Sequence, residues 1–215
     1  MSITQLHNAL AGICRDIVVS TDNNDEDAAH EFAFHKIFKN KSSRYIPYTG
    51  YGIMKDIIRE NRAEAIICEH PYMALTALRL SQQLKIPWFM RSHNIESQRF
   101  KGLGKSWWQV LEWYEQYGMM KANGVFFITP EDAKWAAKHF AIQPDRCHVI
   151  PFGTPLHYAP KPAQTLKTSA RKVLGIDDDN IPVLYFLAAL DYAPNADAVA
   201  FILDEIIPRL NAYTK

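Results

Sequence analysis

A doubly wound α/β fold with a parallel sheet is the class this sequence predicts, and three observations carry it. Short continuous apolar runs such as Ala65-Ile66-Ile67-Cys68 and Val125-Phe126-Phe127-Ile128 read as strands buried on both faces. Helical stretches alternate with those runs, as parallel strands require, because each must return through a crossover. A proline-bearing segment after Pro151, followed by one more apolar run and helix, marks the opening of a second unit.

The elements follow in chain order. Ile3, Leu6, Leu10 and Ile13 recur at helical spacing, and Gly12 closes that helix before the strand Asp16-Ile17-Val18-Val19-Ser20. The polar, acidic stretch Thr21 to Asp27 reads as a solvated loop and carries no chemistry. Phe32, Phe34, Ile37 and Phe38 fit neither period well, and a short strand is expected near Arg44 to Tyr48. From Tyr51 the alternation becomes regular: helix to Asn61, strand 65–68, helix Tyr72 to Leu84, strand 87–90, helix Lys105 to Lys121, strand 124–128. Thr129, Pro130 and Asp132 then supply a cap, an N1 proline and an N3 acid for a helix running to His139. Pro144 ends that pattern, and Cys147 to Pro151 gives the next strand. Beyond the prolines come the apolar run Pro182 to Leu187 and a helix from Asn195 to Leu210. The expected organisation is a Rossmann-like domain over 1–152, a linker over 153–170, and an unfinished second α/β domain over 171–215. One strand with its helix cannot bury its own faces, so further chain is expected after Lys215.

Composition narrows the functional classes. The 24 basic and 23 acidic residues nearly cancel, leaving no field to hold a nucleic acid. Cys14, Cys68 and Cys147 are far apart and lack metal or disulfide spacing, which fits a reducing cytoplasm. No apolar run reaches the ~20 residues of a membrane span, and the first residues lack a signal peptide's apolar core. Trp107, Trp108, Trp113, Tyr114 and Tyr117 crowd one helix beside Lys101 and Lys105. Because they fall all round it, core packing is expected rather than a membrane face, and membrane contact is at most peripheral, at the inner face. The fingerprints Gly-x-Gly-x-x-Gly, Gly-x4-Gly-Lys-Ser/Thr and Gly-x-Ser-x-Gly are absent.

In open parallel sheets ligands sit outside the carboxyl ends of the strands, so the residues just past each apolar run are the candidates. Arg91-Ser92-His93-Asn94-Ile95-Glu96 follows one strand, and its imidazole makes His93 the foremost catalytic candidate, with Arg91, Asn94 and Glu96 as substrate-binding neighbours. Glu69 and His70 follow the preceding strand and face the same crevice, Glu69 accepting from a hydroxyl and His70 donating to one. Gly153 marks a hinge at the end of the first domain. The loop Ala188 to Asn195 presents backbone N–H groups near a helix start, where a diphosphate can bind, with Ala189 and Asn195 as the donor-side candidates. Loop and cap roles without any ligand remain the alternatives at each of these places. No metal ligand set is read from the sequence.

Four segments in this order resemble the group-1 family of retaining glycosyltransferases, of two-Rossmann-domain (GT-B) fold. They are Arg91 to Glu96; Tyr114-Glu115 through Lys121-Ala122-Asn123-Gly124 to Thr129; Val149-Ile150-Pro151-Phe152-Gly153; and Leu190 to Val199. The resemblance implies that residues 1–152 face an acceptor, a glycan or a lipid-linked molecule, and that residues 171–215 begin the domain that binds a nucleotide sugar. It gives His93 a role in acceptor positioning and charge stabilisation, with no cofactor beyond the donor itself. Members of the family begin with a strand and a glycine-rich loop ahead of the first helix seen here, and that strand is expected to be missing from this chain. Phe152 stands where the family commonly has Asn, and Ala188-Ala189 where it has Gly and a small residue. Most of the donor site is expected beyond Lys215, so the 215 residues alone are expected to be inactive. A nucleotide-sugar epimerase of the same architecture, and a non-catalytic scaffold of a glycan-synthesis complex, are the competing readings.

Overall fold

The computed structural model describes residues 3–15, 17–21, 32–38, 46, 49–153, 164–176, 183–191 and 193–213. The chain divides into two units, Met1–His157 and Tyr158–Lys215. In the first, α1 (Ile3–Ala11) leads to β1 (Ile17–Thr21) and β2 (Ala33–Phe38). There follow α2 (Tyr51–Glu60), β3 (Ile66–Glu69), α3 (Ala74–Leu84), β4 (Trp88–Ser92), α4 (Glu96–Gly102), α5 (Trp108–Lys121), β5 (Gly124–Phe127), α6 (Pro130–His139) and β6 (Cys147–Val149). Among the described residues all strand pairs are parallel, in one ladder β1-β2 and another β3-β4-β5-β6, a Rossmann-like α/β arrangement.

The core lies around β4 and β5. Trp88, Met90, Met119, Val125, Phe127 and Phe140 are each at most 2% exposed. Trp88 is tied at both ends: its Nε1 donates to the Lys121 carbonyl at 3.1 Å, and its backbone N–H to Asn123 Oδ1 at 3.0 Å. This lashing fixes where β4 starts relative to the turn between α5 and β5. Gly118 lets α5 approach closely, since a Cβ there would meet Ala74 Cβ and Met90 Cε at 2.8 Å. The start of α6 forms as its sequence dictates, with Thr129 accepting from the Asp132 N–H at 3.1 Å and Pro130 in the first turn.

Between the two ladders lies a cavity of about 510 Å³. Ile17, Val18 and Val19 line one side, Ala65 to Glu69 the other, and Met54, Ile57 and Ile58 of α2 contribute as well. Among the described residues β1 pairs only with β2 and β3 only with β4. The N–H groups of Ile66 and His70 go to the Pro87 and Arg91 carbonyls. By the alternation of a parallel strand, those of Ile67 and Glu69 therefore face the cavity.

Several expectations are corrected. Phe34 and Ile37, read as aperiodic, belong to strand β2. The expected helix over 105–121 begins at Trp108, and a separate helix, α4, starts at Glu96. Val183 to Leu187 form no strand: the run expected to build a second sheet has no described partner to pair with, and Leu184, Tyr185 and Leu187 are 80%, 87% and 89% exposed. Residues 164–170, expected within a linker, belong to α7 (Gln164–Val173). The helix expected over 195–210 is α8 (Ala193–Phe201), a π-helical stretch (Ile202–Ile206) and α9 (Ile207–Tyr213). Pro208, which lacks an N–H to offer the preceding turn, accounts for that interruption. Trp107 and Trp113, expected in the core, are 44% and 62% exposed. The expected strand over 44–48 and the acidic loop over 21–27 lie almost wholly outside the described residues.

Candidate active site

The carboxyl ends of β3 and β4 are neighbours in register, Glu69 opposite Arg91, and this pairing brings two predicted segments together. Arg91 Nη1 lies 3.3 Å from both carboxylate oxygens of Glu69, and the guanidinium is almost wholly buried. His93, just past β4, places Nε2 2.5 Å from Glu69 Oε2. From α1, His7 Nε2 approaches the other oxygen at 3.6 Å. Burial alone would raise the Glu69 carboxyl, but the approach of His7, the short contact with His93 and the Arg91 charge outweigh it and hold the group down at about 2. Glu69 is thus a fixed anion, and Arg91–Glu69–His93 is a chain that orients one imidazole.

A second chain stands beside the first. Glu96, fully buried in the first turn of α4, accepts from Arg99 at 2.7 Å and from the Tyr72 hydroxyl at 2.9 Å. Its other oxygen lies 3.4 Å from Asn94 Nδ2 and 3.7 Å from His70 Nδ1. Burial opposes ionisation here too, yet the contacts from His70, Tyr72 and Arg99 bring Glu96 down to about 2. His70 has φ 64° and ψ 163°, a region natural to glycine, at a cost of about 1–3 kcal/mol. Pro71 favours that extended ψ, and the strained backbone stacks the His70 ring on Tyr72 at 5.4 Å. The same placement sets it 4.1 Å from the ring of His93. Two imidazoles, each backed by a carboxylate and an arginine, therefore meet at one point.

Glu115 of α5 holds this end of α4 in place. Its carboxylate accepts from the N–H groups of Glu96 and Ser97 at 2.8 and 3.0 Å and from the Ser97 hydroxyl at 2.7 Å, satisfying donors that a helix start leaves free. Burial pushes the carboxyl up to about 7, with the three hydrogen bonds opposing and the Glu96 charge adding. The folded-state value lies above the ordinary 4.5, so this group's contribution to stability is full below about 4.5 and lost as pH rises through about 7. Unfolding midpoints measured from pH 5 to 8 are expected to fall for this reason. Glu115→Gln, which cannot ionise, should flatten that slope, and an unchanged slope would contradict the assignment.

The predicted residues are thus distributed unevenly. Glu69, His70, Arg91, His93, Asn94 and Glu96 converge, but Arg91 and Glu96 are buried supports rather than exposed ligands. His93 and His70 retain 10% and 25% side-chain exposure. Phe152, one residue before Gly153, packs edge-on against His93 at 5.7 Å and lies 5.6 Å from the Arg91 guanidinium. In the second unit Asn195 Nδ2 donates to the Ala189 carbonyl at 2.8 Å, so those two candidates meet each other at the start of α8. Tyr72, Arg99, Glu115 and Phe152 join the site without having been singled out as site residues. Among the described residues no group of His, Cys, Asp and Glu is arranged to hold a metal ion. Burial pushes the nearby Cys68 thiol up to about 12, which leaves it unreactive.

A parallel sheet flanked by helices, with a polar, charged cluster at its strand ends, defines a Rossmann-like α/β domain. The chain belongs to glycosyltransferase family 4, whose profile matches residues 2–158. Its fold is similar to that of a glycosyltransferase from Rickettsia africae ESF-5, with a TM-score of 0.52 at 12% identity. The similarity covers 81% of this chain and 45% of the other, so the chain spans about half the length of that protein. No curated protein sequence matches the chain.

Proposed function

We infer that the chain carries the acceptor-side domain of an enzyme that moves a sugar from a nucleotide-sugar donor to a glycan or lipid-linked acceptor, with retention of anomeric configuration. The observation that supports this most is the imidazole of His93, fixed by Arg91 and Glu69 at the carboxyl end of β4, where this fold class takes its ligands. Membership of glycosyltransferase family 4 supplies the reaction class.

In front-face transfer the bond from the anomeric carbon to the donor phosphate breaks as the acceptor oxygen bonds to the same face. The departing phosphate oxygen takes the acceptor's proton. The protein need supply no nucleophile. His93 and His70 instead orient the acceptor hydroxyl and offer hydrogen bonds to charge that develops on the leaving oxygen. Ala189, Asn195 and Gly153 are the donor-side residues in this reading.

The test is an assay of the longer enzyme with a set of nucleotide sugars and glycan or lipid acceptors, the product's anomeric configuration being read by NMR. Transfer that keeps the donor's configuration is the expected result. Inverted product overturns the retaining reaction, and release of an epimerised sugar without acceptor replaces transfer by epimerisation.

A further inference from the structure

Beside the paired imidazoles lies a second hollow that they do not use, an open groove of about 420 Å³. Its size is that of a small-molecule site, roughly 300–1,000 Å³. Asn94 in the turn between β4 and α4, and Gln98 and Arg99 on α4, form one side. Glu131, Asp132 and Trp135 of α6 form the other. Glu131 and Asp132 stand four and three residues before Trp135, so α6 turns all three toward the same side. Asn94 follows His93 directly, and the groove therefore starts one residue from that imidazole.

The walls are set before any ligand arrives. The Trp135 indole lies flat on the His139 ring at 4.3 Å and meets Phe140, 2% exposed, edge-on at 5.1 Å. Gln98 Nε2 donates to Glu112 Oε1 at 3.2 Å, and Arg99 Nη1 to Glu96 Oε2 at 2.7 Å. Side chains fixed in this way lose little freedom when a ligand binds.

The lining decides what that ligand can be. Two amides, a guanidinium and two carboxylates place donors and acceptors side by side, which suits neighbouring hydroxyls, since each of those gives and takes a hydrogen bond. The indole offers apolar area to the C–H groups on the face of a sugar ring. The Arg99 charge is already met by Glu96, so Glu131 and Asp132 leave the groove acidic and unfavourable to a phosphate or carboxylate. Ile95, the one aliphatic residue among the described ones that line it, is 5% exposed, too little to hold a fatty chain.

We propose that this groove holds one uncharged sugar unit of an acceptor chain whose next unit presents its hydroxyl at His93. The acceptor is then a saccharide of two or more units rather than a single sugar or a bare lipid phosphate. The proposal rests on the sugar-transfer reading for the reacting end alone; the groove and its ligand class stand on the lining.

The test labels the whole chain with fluorotryptophan, and Trp135→Phe identifies the Trp135 fluorine resonance by its loss. The probes are linear trisaccharides of glucose, mannose, galactose and N-acetylglucosamine, with the matching methyl glycosides and pentalysine as comparisons. At least one trisaccharide is expected to move the Trp135 signal, and to bind more tightly than its methyl glycoside. Glu131→Ala, a change at an exposed position, should weaken that binding about 10-fold, the usual worth of a hydrogen bond to a charged group. In an enzyme that carries both domains the same variant should raise the KM for a trisaccharide acceptor about 10-fold with a smaller effect on kcat. No trisaccharide shift at Trp135, a shift that Glu131→Ala does not weaken, or a response to pentalysine in place of sugars would each overturn the groove. Sugar binding at Trp135 in a chain whose two-domain enzyme transfers nothing would overturn the sugar-transfer reading and leave the groove standing.

Discussion

His93→Ala, introduced into an enzyme that carries both domains, is expected to lower kcat about 10²–10⁴-fold with a smaller change in KM. That range is what a positioned imidazole contributes to proton handling and charge stabilisation. Kinetics with saturating donor separate the roles: loss confined to kcat marks an interaction made in the transition state, and a rise in KM alone marks ground-state binding. Unchanged kcat would remove His93 from the catalytic machinery. His93→Ala deletes a ring that touches His70 and Phe152, so unfolding midpoints of variant and parent should be compared alongside the rates.

The largest stability effect is expected from Glu69→Leu. It strips the carboxylate from an arginine that is 2% exposed and whose Nη1 is bonded to it through both oxygens. Removing one partner of a buried pair costs about 3–5 kcal/mol, because the remaining charge is left without compensation. Urea unfolding reads that loss directly, and a variant within 1 kcal/mol of the parent, roughly the level of a surface change, would refute it. Glu69 and the neighbouring Glu96 also make stability depend on acid. Glu69 and Glu96 are held near 2 against an ordinary 4.5, so their contribution is complete above about 4.5 and disappears as pH falls towards 2.

Residues whose role follows from local chain geometry were legible in the sequence. Thr129, Pro130 and Asp132 announce the start of α6 because a cap satisfies its donors within three residues. The placement of His93 and Glu69 together at the ends of neighbouring parallel strands is legible in the same way, since it needs only the strands to be found. The contacts of Arg99, Tyr72 and Glu115 are not legible in the sequence because they span three, 24 and 18 or 19 residues and depend on the unexpected helix α4. In the sequence Phe152 stands only as a departure from a family pattern, whereas its ring packs edge-on against His93. Trp107 and Trp113 misled for a different reason. A helix with apolar residues all round reads as buried, yet α5 turns one apolar side to the core and leaves another in the open. The apolar run at 183–187 shows the converse limit, since a strand is defined by its neighbour and hydrophobicity supplies none.

The lane between β1 and β3 gives the first unit two tiers of rigidity. β4 and β5 are clamped by a neighbour on each side, whereas among the described residues α1, β1 and β2 join the rest with no ladder between β1 and β3. Opening that smaller block breaks no main-chain rung of the larger one, so it is the natural first step of partial unfolding. Amide exchange would then be quick along β1 and at Ile67 and slow through Met90 and Val125. His7 rides on the loose block while Glu69 sits on the firm one, so breathing of the lane is felt at the site as the coming and going of a single imidazole.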